Sequence, residues 1–183
     1  MPFQHISDPI LKKMNRKITR KEIEATMARV RSQLPDVAWR TTFIVGFPTE
    51  TDQDFEELLD FVSEGHFQHL GIFLYSDEDN IRSSKFGDPI PLSLKEERKN
   101  RLMEIQQKIS RENHQKMVGS LQQVLVGGFS SETDLLLEGR NQYQGPEVDG
   151  VVYINEGNAT SAGFHQVEIT EAHEYDLVGK ILN

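Results

Sequence analysis

The sequence contains no cysteine among its 183 residues. This absence excludes disulfides, cysteine-ligated zinc, thiolate nucleophiles and iron–sulfur clusters held by this chain's own thiolates. Long hydrophobic runs are missing too: no stretch approaches the roughly 18 apolar residues of a membrane helix, and residues 1–12 lack the apolar core of a signal peptide. A chain of this length buries enough surface to fold without disulfides or structural metal ions. We therefore expect a cytoplasmic protein with no membrane partner.

Basic residues are scarce in the last third of the chain. The formal net charge is −9, yet residues 1–120 are nearly balanced in charge. From residue 121 onward only Arg140 and Lys180 oppose ten acidic residues. Phosphate backbones require lysine and arginine as counter-charges, so this third favours a basic partner over a nucleic acid. A surface charged for solubility explains the same composition.

Residues 1–118 alternate helical and strand patterns. The predicted elements are helices 8–14 and 19–34, strand 39–46, helix 54–65, strand 69–75 and helix 93–117. Thr19 with Glu22, and Ser93 with Glu96, have the spacing of capping boxes at helix starts. The order favours βα units with parallel strands. Two strands do not complete such a sheet, so we expect the closing portion of a larger α/β domain, with a self-sufficient small domain as the alternative.

Helical periodicity disappears after residue 118. Short β-rich segments alternate with glycine-containing turn signals; they are residues 123–126, 135–138, 151–154, 166–170 and 177–182. Five short strands in about 60 residues predict a small closed barrel of OB-like size. The sequence thus predicts an α/β domain over residues 1–118 and an all-β domain over residues 119–183.

No motif forms a complete catalytic site by itself. The turn 46–50 (Gly-Phe-Pro-Thr-Glu) follows a buried strand, at the carboxyl end where α/β folds bind ligands. From spacing alone, a plain βα turn with Glu50 assisting the helix start is the favoured interpretation. The turn lacks the repeated glycines and the lysine of a phosphate loop. The charged cluster 96–99 is typical of a solvated helix face.

Three further side chains lie near predicted strand ends. Phe73 and Tyr75 end the second strand, where they could stack on a flat ring or pack in the core. His5, beside Gln4, is polar where a strand end would open into a pocket, although a lone histidine is often structural. The remaining histidines have no shared metal-ligand spacing.

Residues 2–16, PFQHISDPILKKMNR, resemble a stretch of the radical-SAM methylthiotransferases. The resemblance continues in order through residues 40–50, 54–58 and 71–76, and residues 171–179 resemble the end of that family's TRAM domain. It covers essentially the whole chain. The resemblance implies the carboxyl-terminal part of such an enzyme: a partial (β/α) radical-SAM half-barrel followed by a five-stranded, OB-like TRAM barrel.

The resemblance also implies an activity, methylthiolation of an aspartate β-carbon on small-subunit ribosomal protein S-twelve. Gln4-His5 and residues 174–179 resemble the branch that acts on this protein, whereas the tRNA-modifying branch typically has a Gln-Ser-Gly run at the first position. Family members use S-adenosylmethionine and two 4Fe-4S clusters. The cysteines that hold those clusters are absent here, so we expect a fragment that is inactive alone and lacks the amino-terminal half of its enzyme.

By the same resemblance, the strand ends would help to hold S-adenosylmethionine. These cofactor-binding candidates are Gln4, His5, Thr42, Ile44, Gly46, Phe73 and Tyr75. No catalytic or metal-binding residue is expected. Barrel carboxylates are expected to face the basic ribosomal protein; they are Glu147, Asp149, Glu171, Glu174 and Asp176. tRNA is not expected to bind. The tRNA-modifying branch and a non-enzymatic module that docks on a basic protein are the alternatives. Thr49 stands where the family usually has glycine.

Overall fold

A computed structural model describes residues 1–78, 83–157 and 162–182, and divides the chain into two compact units, Met1–Gln106 and Gln107–Asn183. The helices are α1 (Asp8–Lys13), α2 (Arg20–Gln33), α3 (Asp52–Ser63) and α4 (Leu92–Gln115), with a 3₁₀ turn at Ser84–Phe86. The strands are β1 (Arg40–Val45), β2 (His69–Leu74), β3 (Leu121–Phe129), β4 (Leu137–Arg140), β5 (Val152–Glu156), β6 (Gly163–Ala172) and β7 (Leu177–Ile181). Among the described residues, no helix is long and apolar enough to span a membrane.

Side-chain caps define where two of the helices begin. Thr19 and Glu22 form the predicted capping box at α2, each side chain accepting the other residue's backbone N–H. Thr51 and Asp54 form a second box at α3. The box predicted at Ser93 is wrong. The Pro91 carbonyl accepts the first helical hydrogen bond of α4, so Ser93 already lies inside the helix and cannot be its N-cap.

Strands β1 and β2 pair in parallel, which confirms the predicted βα arrangement. Gln4 makes a parallel bridge on the other edge of β1. Its N–H donates to the Thr42 carbonyl at 2.9 Å, and its carbonyl accepts from the Ile44 N–H at 2.8 Å. Three chain segments therefore lie side by side, and burial alternates along β1 so that one face is buried and the other only half-buried.

The buried face of β1 packs into an aromatic core. Phe43, Phe61 and Phe67 are fully buried, and the Phe67 ring centroid lies 5.8 Å from each of the other two centroids. Trp39 joins the same cluster beside Phe3. Each such ring contributes about 1.5–3 kcal/mol through burial. This core supports the carboxyl ends of both strands.

The second unit is a closed five-stranded barrel with strand order β3-β4-β5-β7-β6. All neighbouring pairs are antiparallel except β5–β7. Its interior consists of aliphatic side chains: Val124, Val126, Val152, Ile154, Val167, Ile169, Leu177 and Ile181. The predicted small barrel is confirmed. The strand predicted from residue 135 begins later, because Leu135 is 88% exposed and β4 starts at Leu137.

Candidate functional site

The turn after β1 is organised by the Glu50 carboxylate. Glu50 Oε2 accepts the Gly46 N–H at 2.7 Å and the Phe47 N–H at 3.2 Å, while Oε1 accepts Arg98 Nη1 at 2.7 Å. Burial raises the pKa of Glu50, and the Arg98 charge and the two N–H groups oppose that shift. With both carboxylate oxygens engaged inside the fold, Glu50 acts as a structural anchor of the strand end.

His5 lies fully buried beside this anchor. Its Nδ1 accepts the Ser7 N–H at 3.0 Å, which leaves the ring proton on Nε2. Nε2 lies 3.8 Å from Glu50 Oε2 and has no hydrogen-bond partner among the described atoms. Burial lowers the pKa of His5 to about 4; the Asp54 charge opposes this shift and the Arg98 charge adds to it. The imidazole is therefore neutral near pH 7.

A cavity of about 650 Å³ opens at the carboxyl ends of the two strands. Ile44, Phe47 and Tyr75 line it, and the Phe47 and Tyr75 rings meet edge to face at 5.3 Å. Gln4 also lines the cavity and has a φ of 74°, which residues with a side chain rarely adopt. Strained backbone of this kind concentrates at binding and catalytic sites. The cavity is thus the candidate ligand site of the first unit.

The structure brings together three of the seven predicted cofactor-binding residues in this cavity, namely Gln4, Ile44 and Tyr75. Thr42 and Phe73 do not line the cavity but lie on the same half-buried face of the strand pair. Thr42 shares that face with Ile44, two positions along, and Ile44 pairs with Phe73 across the strands. Phe73 is 61% exposed, which leaves its ring available to a ligand.

The other two predicted residues lie apart from the cavity lining. His5 is enclosed beside Glu50, and the Gly46 N–H is engaged by the same carboxylate. Gly46 has a φ of 75°, and a Cβ there would overlap the buried side chain of Lys95, so the turn requires glycine. Both residues therefore contact the anchor of the turn.

Two cations of α4 are buried near the site, and the sequence did not predict either of them as a site residue. The cluster 96–99 was expected to be solvated, but Arg98 is only 2% exposed and binds Glu50. Lys95 is equally buried, and its Nζ donates to the Tyr75 carbonyl at 2.8 Å and to Asp88. Lys95 and Arg98 share a helix face with buried Leu102. That helical spacing is the feature of the sequence that could have predicted their burial.

The predicted partner-binding carboxylates of the barrel differ in their surroundings. Glu147 and Glu171 are exposed. Asp149 accepts a turn N–H at 2.6 Å, and Asp176 accepts the N–H of the residue before β5 at 2.8 Å. Glu174 lies 3.4 Å from an arginine of α4. The structure thus leaves two of the five on the surface and gives the other three internal partners.

A second group of carboxylates surrounds Tyr153 on the barrel. Glu138 is its cross-strand partner on β4. Burial raises the pKa of Tyr153, and the negative charges of Glu132, Asp176 and Glu138 raise it further. These three carboxylates therefore place negative charge around this ring.

Two family models match the chain. The Radical SAM superfamily model matches residues 1–62, and the TRAM domain model matches residues 118–182. Among curated proteins, "Ribosomal protein uS12 methylthiotransferase RimO" of Bdellovibrio bacteriovorus is 50% identical over 100% of this chain and 40% of its own length. The proteins of the same name from Geobacter sulfurreducens and Desulfotalea psychrophila are 44% and 45% identical, again over 100% of this chain and 41% of their own lengths.

Fold and comparisons together define a radical-SAM segment followed by a TRAM barrel. Over its whole length the chain is similar to proteins named as ribosomal protein uS12 methylthiotransferases. It spans about two fifths of the length of those relatives.

Proposed function

We propose that this chain is part of an enzyme that adds a methylthio group to an aspartate β-carbon of ribosomal protein uS12. The observation that carries this proposal is the match to uS12 methylthiotransferases, at 41–50% identity over 99–100% of the chain. The parallel strands β1 and β2 have a cavity at their carboxyl ends. This supports the proposal, because α/β folds bind their ligands at this edge of the sheet.

The strand ends present a surface that fits S-adenosylmethionine. Phe73, Tyr75 and Ile44 offer aromatic and apolar area for a flat ring, while the Gln4 amide and the Thr42 hydroxyl offer hydrogen-bonding groups beside it. When bound, the cofactor supplies the radical and group-transfer chemistry. In our proposal these side chains bind and orient it.

The two remaining predicted residues contribute through the turn. Gly46 and His5 contact the Glu50 carboxylate that shapes the end of β1. We assign them the role of keeping Ile44 and the turn backbone in place at the edge that would hold the cofactor.

The chain's residues do not fit an iron–sulfur cluster. The sequence has no cysteine, and no group of three or more histidine or carboxylate residues in the described ranges could hold a metal. We propose that cluster ligands come from another part of the enzyme and that this chain is inactive alone.

The acidic barrel is proposed to dock uS12 electrostatically. Glu147 and Glu171 are exposed, and three carboxylates surround Tyr153, a pattern that attracts a basic protein and repels phosphates. Asp176 is one of these three carboxylates, and Glu174 and Asp149 add negative charge in the same barrel. On this proposal tRNA is not a partner.

A chimera tests the enzymatic proposal. This chain replaces the aligned segment of the Bdellovibrio relative, and the purified, cluster-reconstituted chimera is incubated with uS12 and S-adenosylmethionine. We expect mass spectrometry to detect a methylthio group on one uS12 aspartate, and the isolated chain to leave uS12 unmodified. Modification of tRNA instead of uS12 would assign the chain to the other branch, and turnover by the isolated chain would overturn its proposed inactivity.

A binding assay tests the docking proposal. We expect this chain to bind uS12 in a salt-sensitive manner and to bind tRNA negligibly. The E147Q/E171Q variant should weaken uS12 binding, whereas E96Q/E97Q, which removes two exposed charges from α4, should not. Equal effects of the two variants would show that net charge, rather than the barrel surface, attracts uS12.

A further inference from the structure

In the part of the chain that the structure describes, four cations line the cavity at the strand ends: Lys12, Lys13, Arg16 and Lys85. Lys13 and Lys85 come from separate segments, yet both ammonium groups lie against the Phe86 ring, with Nζ 5.2 Å and 5.0 Å from its centroid. Within the described ranges, none of these four cations forms an ion pair with a carboxylate. Among the described residues, Glu78 is the acidic residue that lines the cavity with them.

This excess of positive charge is not explained by the fold alone. Lys12 and Lys13 lie in the last turn of α1, where the helix dipole favours cations. That reasoning does not extend to Arg16, which follows the helix, or to Lys85. Cations gathered around one concave surface repel each other, and an anion bound there would relieve that repulsion.

The shape and polarity of the cavity restrict the anion. Its volume of about 650 Å³ is large enough for a peptide side chain together with the neighbouring backbone, and Phe47, Tyr75 and Phe86 give it an aromatic lining. A nucleic acid backbone would instead need an extended basic groove. The chain's net charge of −9 also disfavours a polyphosphate ligand.

We propose that this cavity binds a side-chain carboxylate of a peptide, held by Lys13 and Lys85 with Lys12 and Arg16 completing the positive rim. The inference rests on the proposed function, in which the modified residue is an aspartate, and it assigns to these lysines the recognition of that residue's charge. Phe86 positions the two ammonium groups through cation–π contacts.

An NMR titration of the isotopically labelled 183-residue chain tests this proposal. The probe is N-acetyl-aspartyl-amide, and its neutral isostere N-acetyl-asparaginyl-amide is the control. We expect the aspartyl probe to shift the signals of Lys13, Lys85 and Phe86, and the asparaginyl probe to bind at least about fivefold more weakly. The K13M/K85M variant keeps the apolar stems and should weaken aspartyl binding by a similar factor.

A matched variant controls for overall charge. K17M/K21M also removes two lysines, both exposed and outside the cavity lining, and should change aspartyl binding by less than about twofold. Equal effects of the two double variants, equal binding of the two probes, or no shift at these residues would each overturn the proposal.

Two competing ligands complete the test. S-adenosylhomocysteine that binds through Lys13 and Lys85 and displaces the aspartyl probe would assign the cations to the cofactor and overturn the proposal. A short oligonucleotide that binds the same lysines more tightly would overturn it in favour of a nucleic acid site.

The activity of the chimera separates this proposal from the proposed function. An active chimera that K13M/K85M leaves unimpaired would refute the carboxylate site and leave the uS12 reaction standing. An inactive chimera combined with charge-specific aspartyl binding would refute the uS12 reaction and leave the carboxylate site standing.

Discussion

The guanidinium of Arg98 donates to the Glu50 carboxylate at 2.7 Å, a contact between residues 48 positions apart that joins α4 to the turn after β1. The second guanidinium nitrogen donates to Asp52 at the start of α3, also at 2.7 Å. The Glu50–Arg98 pair is almost completely buried. Such a pair is costly to break, because removing one partner leaves the other as an uncompensated buried charge.

Replacing Arg98 with Met should lower the free energy of unfolding of the first unit by about 3–5 kcal/mol. The Glu50 carboxylate would stay buried without its counter-charge. Urea unfolding followed by the fluorescence of Trp39, the only tryptophan, reports on this unit.

Arg101→Met is the matched control for this prediction. Arg101 also lies over the Phe55 ring, at 4.9 Å against 5.3 Å for Arg98, but its ion pair with Glu56 is solvent-exposed. We expect Arg101→Met to cost less than about 1 kcal/mol. Equal losses of unfolding free energy in the two variants would show that the buried ion pair stabilises the unit no more than the exposed one does.

Replacing Thr49 with Gly should stabilise the first unit by about 1 kcal/mol. Thr49 has a φ of 95°, where a β-branched side chain is strained and glycine is not. The same tryptophan-monitored unfolding measures the change. Asn15→Gly is the control, since asparagine tolerates its φ of 58° and should change stability little. A loss of stability in Thr49→Gly would contradict the strain argument.

His5 should make the first unit less stable in mild acid. Its pKa of about 4 in the fold lies below the ordinary value of 6.5, so the unfolded chain binds more protons between these two pH values. Stability is therefore full above pH 6.5 and is lost as the pH falls towards 4, by about 3 kcal/mol from this residue. The raised pKa of Glu50 acts in the opposite direction over part of this range.

Comparing the native chain with His5→Gln isolates the contribution of this residue. The variant should lose most of the difference in unfolding free energy between pH 6.5 and pH 4. An unchanged pH dependence would show that His5 is not buried in its neutral form.

Replacing Gly139 with Ala should destabilise the barrel by about 1–3 kcal/mol. A Cβ there would lie 2.6 Å from Val124 Cγ1 and 2.8 Å from the Leu125 carbonyl oxygen, so the side chain of Val124 and the backbone of β3 would have to shift. Amide hydrogen exchange in β3 and β4 measures the loss. Gly127→Ala is the control, because its nearest neighbour atom lies 3.9 Å away, and similar exchange rates in both variants would contradict the prediction.

Much of the fold could be predicted from local patterns. The capping box of Thr19 and Glu22, the apolar runs that form β1 and β2, and the loss of helical spacing after residue 118 each depend on hydrogen bonds or burial within a few neighbouring residues. Helix-start signals were less dependable: Ser93 had the right spacing, but the chain enters α4 at Pro91.

The candidate site was only partly predictable. Alternation along a strand indicates that Thr42 and Ile44 share a face, and the absence of cysteine by itself determined that this chain supplies no thiolate to a cluster. Packing between segments far apart in sequence determines which lysines lie against Phe86 and which arginine of α4 is buried. Composition and periodicity describe one element at a time, whereas a charge acquires its partner and its pKa from the elements that enclose it.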